Sequence, residues 1–147
     1  MVGDGPDRQV AEKQCRSLGI CEHVHFMGKW ERVEDILSIA DLFLIPSGSE
    51  TFGLAALEAM SCSVPVISSD IGGLPEVNVH GETGYFCALD DVNCMADYAV
   101  KILSNPILHS TLALNARKRA EQFNENHVVL QYEGFYEQIR SSSNKSS

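Results

Sequence analysis

Two carboxylates, Glu50 and Glu58, stand with seven residues between them in the stretch Pro46 to Pro65, which also holds Ser47-Gly48-Ser49 and Thr51-Phe52-Gly53-Leu54. With Glu50 in a loop or first turn and Glu58 about two turns on, they lie on the order of 12 Å apart at 1.5 Å per residue. A carboxyl pair that works on one glycosidic bond needs roughly 5 to 9.5 Å. The spacing instead suits two hydrogen-bond acceptors for the two ends of an elongated, polyhydroxylated ligand. Between them the backbone N–H groups of Phe52, Gly53 and Leu54 fall at a helix N-terminus, where unpaired donors and the helix dipole favour an anion. Gly53 lets that backbone come close.

The flanking segments supply the frame. Asp41-Leu42-Phe43-Leu44-Ile45 and Val64-Pro65-Val66-Ile67-Ser68 are short apolar runs of the kind that form buried parallel strands. Leu54 to Met60 is a run of strong helix formers between them. Strand, loop, helix and strand make a βαβ crossover, with the polar loop at the carboxyl end of a strand, where open α/β sheets bind ligands. Farther on, Ser69-Asp70-Ile71-Gly72-Gly73-Leu74-Pro75-Glu76 leaves the next strand and opens a short helix, its two glycines permitting close backbone approach.

These residues carry a resemblance. Glu50-x7-Glu58 enclosing Thr-Phe-Gly-Leu, after Ala-Asp-Leu-Phe-Leu-Ile-Pro and before Glu-Ala-Met, resembles the donor-binding signature of family 4 retaining glycosyltransferases. Val2-Gly3-Asp4-Gly5-Pro6, Val24-His25-Phe26-Met27-Gly28, Gly72-Gly73-Leu74-Pro75-Glu76-Val77 and His80-Gly81-Glu82-Thr83-Gly84-Tyr85 follow that family in family order. More narrowly, Gly28-Lys29 with Val33-Glu34, the Gly-Leu-Pro-Glu-Val-Asn segment and Gln131-Tyr132-Glu133 resemble the malate N-acetylglucosaminyltransferases that begin bacillithiol synthesis. The resemblance implies an α/β fold, a Rossmann-like doubly wound parallel sheet that is an incomplete C-terminal domain of a GT-B glycosyltransferase. It implies a donor site of Gly28, Lys29, Trp30, Glu50, Thr51, Phe52, Gly53, Leu54, Glu58, Gly72 and Gly73. In it Glu50, the catalytic candidate, binds donor-sugar hydroxyls, Glu58 the ribose hydroxyls, and Gly28, Lys29 and Trp30 the base. A half-buried loop anchor is the other reading of Trp30. The implied donor is UDP-GlcNAc or a related nucleotide sugar and the implied acceptor a small molecule such as L-malate, with retention at the anomeric carbon and no metal or other cofactor. A family 4 enzyme with a cell-surface glycan or lipid acceptor, and a non-catalytic nucleotide-binding fragment, are the alternatives.

Composition narrows the class. The chain has 147 residues, 44% hydrophobic and 21% charged, with a net charge of −9. That is ordinary for one soluble domain, and the negative charge argues against nucleic acid or an anionic membrane as partner. No apolar run reaches membrane-spanning length and no signal peptide opens the chain, so a cytoplasmic protein is expected. The five cysteines, 15, 21, 62, 87 and 94, are odd in number and include no Cys-x-x-Cys, and are expected reduced.

Along the rest of the chain, Asp7 to Leu18 predicts a helix with Val10, Ala11, Gln14 and Leu18 on one face and Gly19 past its end. His23 to Met27 alternates and predicts a strand. Its two histidines lack further partners for a metal. Glu31 to Ala40 predicts an amphipathic helix with Val33, Ile36, Leu37 and Ala40 inward. His80-Gly81-Glu82-Thr83-Gly84 is a turn with both glycines suited to left-handed positions. Asp91 to Leu103 predicts a helix with Val92, Met95, Ala96, Ala99, Ile102 and Leu103 inward, and Ile107 to Phe123 another whose Arg117-Lys118-Arg119 is a solvated face. Asn126 to Arg140 predicts the last helix, and 141–147 a disordered tail. Residues 1–140 thus make one nucleotide-sugar-binding domain. Met1-Val2 reads as the end of a second strand, so the domain is expected to lack its first strand and to be one piece of a longer enzyme with an N-terminal partner domain. Ser63, past the helix that carries Glu58, departs from the glycine usual in the family it resembles, and would cost on the order of 1 kcal/mol if the position takes a left-handed cap.

Overall fold

The computed structural model describes residues 1–123. The chain divides into two compact units, Met1–Asp35 and Ile36–Ser147.

In the first unit α1 (Arg8–Ser17) follows Asp7 and stops before Gly19, whose φ of +67° supplies the left-handed residue past the helix end. Its inward face is not the expected one. Cys15 is buried and Ala11 half-buried, while Val10 and Leu18 are 63% and 61% exposed. Arg8 decides the rotation: it bonds Glu12 at 2.9 Å and the Phe26 carbonyl at 3.5 Å, so the stripe Arg8, Ala11, Glu12, Cys15 turns inward. The strand expected over His23 to Met27 is also corrected. Cys21–His23 is a 3-10 turn and the following run is extended without a ladder. Its pairing with the first residues consists of three backbone bonds, from Met1 N to the His25 carbonyl, Met27 N to the Met1 carbonyl and Gly3 N to the Gly28 carbonyl. Gly3 and Gly28 both have positive φ there, which ends the pairing.

Helix α2 (Val33–Leu37) is shorter than expected and closes with tight bonds from Ile39 and Ala40 back three residues, although Leu37 is buried and Val33, Ile36 and Ala40 are half-buried as the pattern requires. Then β1 (Phe43–Ile45), α3 (Leu54–Ser61), β2 (Val66–Ser69), α4 (Leu74–Val77) and β3 (Gly84–Cys87) alternate. The strands form a parallel sheet in the order β1-β2-β3, with Phe43 opposite Val66 and Val66 opposite Gly84. This is the crossover topology the apolar runs predict. Every residue of β2 is buried. Gly84 is corrected from a left-handed turn residue to a close-approach residue, since a Cβ there would overlap the Val66 carbonyl. Gly81 has the expected positive φ.

Two helices complete the unit. Asp91 caps α5 (Val92–Leu103) at Cys94 N, and Asn105 caps α6 (Pro106–Glu121) at Leu108 N, with Pro106 in the first turn. Ile67, Tyr85, Cys87, Met95, Ile102 and Leu112 form a buried core cluster, with Tyr98 and Ala99 packed against it. The inward stripe of α5 is therefore 95, 98, 99, 102, at the i, i+3, i+4, i+7 spacing. Val92 is 73% exposed, and Ala96 and Leu103 are exposed. Tyr98 takes their place by stacking on Tyr85 at 4.0 Å between centroids.

Cys87 and Cys94 form a disulfide, their Cα atoms 6.0 Å apart, which corrects the expectation of five reduced cysteines. The chain leaves β3 at Cys87 and returns in the first turn of α5, within the reach a disulfide needs. Cys15, Cys21 and Cys62 are free. The Cys15 thiol is pushed above its ordinary value, first by the hydrogen bond with Cys21 and then by its burial.

The basic triplet on α6 is not simply solvated. Arg117 donates to the Ser61 carbonyl and pairs with Glu121 at 2.9 Å. Arg119 donates to the carbonyls of Glu76 at 2.5 Å and Val77 at 3.4 Å. Each guanidinium thereby satisfies the open carbonyl end of a helix, Arg117 at α3 and Arg119 at α4. The expected helix over Asn126 to Arg140 and the tail 141–147 lie outside the described residues. Among the described residues no helix is long and apolar enough to cross a membrane.

Candidate functional site

Two successive βα loops, Pro46 to Gly53 after β1 and Asp70 to Gly73 after β2, leave the carboxyl ends of neighbouring parallel strands. Gly53 caps α3 in a left-handed conformation at φ 70°, which folds the preceding loop back on itself. Three amides converge there on one atom. Thr51 N, Phe52 N and Gly53 N donate to Glu50 Oε1 at 3.1, 3.4 and 3.1 Å. The expected amide set of Phe52, Gly53 and Leu54 is thus shifted by one residue, because the left-handed turn at Gly53 aims the loop amides at Glu50 while Leu54 N–H begins the helix. The anion that these donors and the helix N-terminus favour is the Glu50 carboxylate itself.

The second loop packs onto the first through glycine. Gly73 N donates to the Glu50 carbonyl at 3.4 Å. A Cβ on Gly72 would overlap that carbonyl, and one on Gly73 would lie 2.5 Å from the Thr51 carbonyl. Only glycine permits this approach. A Cβ on Gly53 would meet the Leu74 and Val77 side chains of α4 at 3.4 Å, ordinary van der Waals distance. The fold therefore brings together Glu50, Thr51, Phe52, Gly53, Gly72 and Gly73. Phe52 and Leu54 expose their side chains beside this junction, and Glu58 is exposed in the second turn of α3. Gly28, Lys29 and Trp30 belong to the first unit, where Gly28 has a φ of +68° and Trp30 is 42% exposed.

Residue-type reasoning missed the groups behind the junction. Asn78, fully buried, donates to the carbonyls of Val66 and Tyr85 and to Ser68 Oγ, and its Oδ1 accepts from Thr83 Oγ1 at 2.9 Å. It ties the end of α4 to β2 and β3. The only signal in the chain is a polar residue directly after the short Leu-Pro-Glu-Val helix, which a turn would equally explain.

A glycine-packed junction with a pinned carboxylate lies here at the carboxyl edge of a parallel sheet, the edge at which Rossmann-like domains bind ligands. Residues 1–119 match the family Glycosyl transferases group 1, and the chain belongs to that family. It is 40% identical over 146 residues to the N-acetyl-alpha-D-glucosaminyl L-malate synthase of Bacillus anthracis, covering 98% of this chain and 38% of that protein. It is 35% identical over 130 residues to a D-inositol 3-phosphate glycosyltransferase of Gordonia bronchialis, covering 86% of this chain and 28% of that protein. Among solved structures, the Anabaena protein HepE in complex with UDP superimposes with a TM-score of 0.82 at 26% identity, over 95% of this chain and 40% of that one. The fold is thus the Rossmann-like fold of the GT-B glycosyltransferases, and the chain spans well under half the length of these relatives.

Proposed function

We propose that this chain is the donor-binding part of a retaining glycosyltransferase, taking its sugar from a UDP-sugar, UDP-N-acetylglucosamine, and delivering it to L-malate. The observation that carries the reading is the Glu50 carboxylate, held by three backbone amides at the carboxyl end of β1 with Gly72 and Gly73 against its loop. Oε1 is committed to the loop, so Oε2 is the acceptor presented to a donor-sugar hydroxyl. In this reading Glu58, exposed on α3, accepts from the ribose hydroxyls. The glycine pair leaves room for a diphosphate or sugar to approach the backbone. The choice of donor sugar and of L-malate leans on the 40% identity to the malate synthase. The match to an inositol-phosphate enzyme favours a second reading, the same donor chemistry with a different small acceptor.

Calorimetric titration with UDP and UDP-N-acetylglucosamine tests the donor assignment. In Glu50→Gln the amide oxygen can still accept from the three N–H groups, while an NH2 replaces Oε2, so the loop is kept and the hydroxyl acceptor lost. We expect sugar-nucleotide binding to fall roughly tenfold to a hundredfold, the range of a hydrogen bond to a charged group, with UDP binding nearly unchanged. Glu58→Gln is expected to weaken UDP itself. Equal losses for both ligands in both variants would sink this division of roles.

A further inference from the structure

The two helices that begin at the candidate site are each gripped at their far end by α6. Helix α3 starts next to the Glu50 loop and ends at Ser61, whose carbonyl accepts from Arg117. Helix α4 starts next to Gly72 and Gly73 and ends at Val77, where the carbonyls of Glu76 and Val77 accept from Arg119. The two arginines stand two residues apart on one helix.

Helix α4 has only four residues, too few for its internal bonds to hold it against the cost of nucleation. Its position must come from outside. Leu74 and Val77 are buried against the Gly53 turn, Asn78 anchors the chain behind it, and Arg119 closes its carbonyl end. What α4 carries is the glycine pair that touches Glu50 and Thr51. A displacement of α4 is therefore a displacement of the Gly73–Glu50 contact.

We propose that Arg119 is a positioning residue for donor binding, acting through α4 to set the glycine pair against the Glu50 loop, with Arg117 doing the same for α3. This rests on the donor-site reading above for its consequence, though not for its geometry.

The test is residue-resolved amide hydrogen exchange on this chain, which needs no ligand. Arg119→Ala should speed exchange at Thr51, Gly53 and Gly73 by about tenfold, the weight of a charge-assisted hydrogen bond, while Ile67 and Tyr85 in the sheet keep their rates. Arg119→Lys keeps the charge but replaces two guanidinium donors by one ammonium, and should restore only part of the protection. Arg117→Ala should act on Cys62, Ser63 and Val64 instead. A uniform change over the whole sheet, or no change at Gly73 in Arg119→Ala, overturns the proposal; if the alanine variant fails to fold, faster exchange in Arg119→Lys confined to the Glu50 and Gly73 loops supports it, and wild-type rates there overturn it. Donor titration then separates the two readings. Faster exchange at Gly73 with a roughly tenfold loss of UDP-N-acetylglucosamine affinity supports both. Faster exchange in a protein that binds no nucleotide sugar even with Arg119 intact supports the positioning and removes the donor assignment.

Discussion

Glycine does two different jobs, and only the second unit uses both. In the first unit, Gly3, Gly5 and Gly19 have nothing within 4 Å of where a Cβ would stand, and at Gly28 the nearest neighbour is the end of the Arg8 side chain at 3.3 Å. Those glycines supply a turn of the backbone and little else. The second unit has open glycines of this kind as well, Gly48 and Gly81, but in it Gly72, Gly73 and Gly84 would each drive a Cβ into a backbone carbonyl. There the residue sets the distance between two main chains. Burial follows the same division: within residues 1–35 Cys15 alone is buried, whereas β2 is buried throughout. Placement is over-determined where main chains touch, and a site that must hold a ligand to within a fraction of an ångström belongs in such a region.

The same substitution made in both places tests the contrast most severely. Gly72→Ala should cost more than about 3 kcal/mol and abolish UDP-sugar binding, because backbone must move and φ is positive as well. Gly28→Ala should cost only about 1 kcal/mol, the conformational penalty by itself. Denaturant titration of the two variants checks this, and similar losses would erase the distinction. Asn78→Ala should come next, at roughly 2–3 kcal/mol, since it leaves Ser68, Thr83 and two carbonyls short of a buried partner. Its effect on amide exchange should spread through β2 and β3 and spare α1. The smallest effect is a gain. Ser63 has a φ of +63°, the left-handed cap its position after α3 implies, so Ser63→Gly should raise stability by up to about 1 kcal/mol, read as a higher midpoint with an unchanged slope.

The parallel sheet, the Glu50 loop and the glycine pair were legible because their residue types have few other uses in that order. An apolar run, a Ser/Gly loop and a helix former series leave one common topology. The atom that Thr51, Phe52 and Gly53 face was not legible, since an N-terminal amide cluster looks the same whether its anion comes from outside or from a side chain three residues earlier. Arg117 and Arg119 look solvated in the sequence because a charged triplet carries no mark of which carbonyl it will find, and Glu76 and Ser61 are more than forty residues away. The inward face of α5 was misassigned for a local reason: aliphatic Val92 and Leu103 outranked Tyr98 by hydropathy, although only Tyr98 can both stack on Tyr85 and keep its hydroxyl at the surface, facing His80 at 3.4 Å. The alternation at His23 to Met27 failed as a strand because a period of two over five residues says nothing about whether a neighbouring strand is long enough to pair.

The bond between Cys87 and Cys94 also bears on how this chain would respond to being cut. Residues 88–93 are the stretch it encloses, with the exposed turn at Leu89 and Asp90 among them. A protease that opened the backbone there would leave the sheet and the helix pair α5–α6 as one covalent body. The nick would stay invisible on a denaturing gel until a thiol was added, and two fragments would then separate.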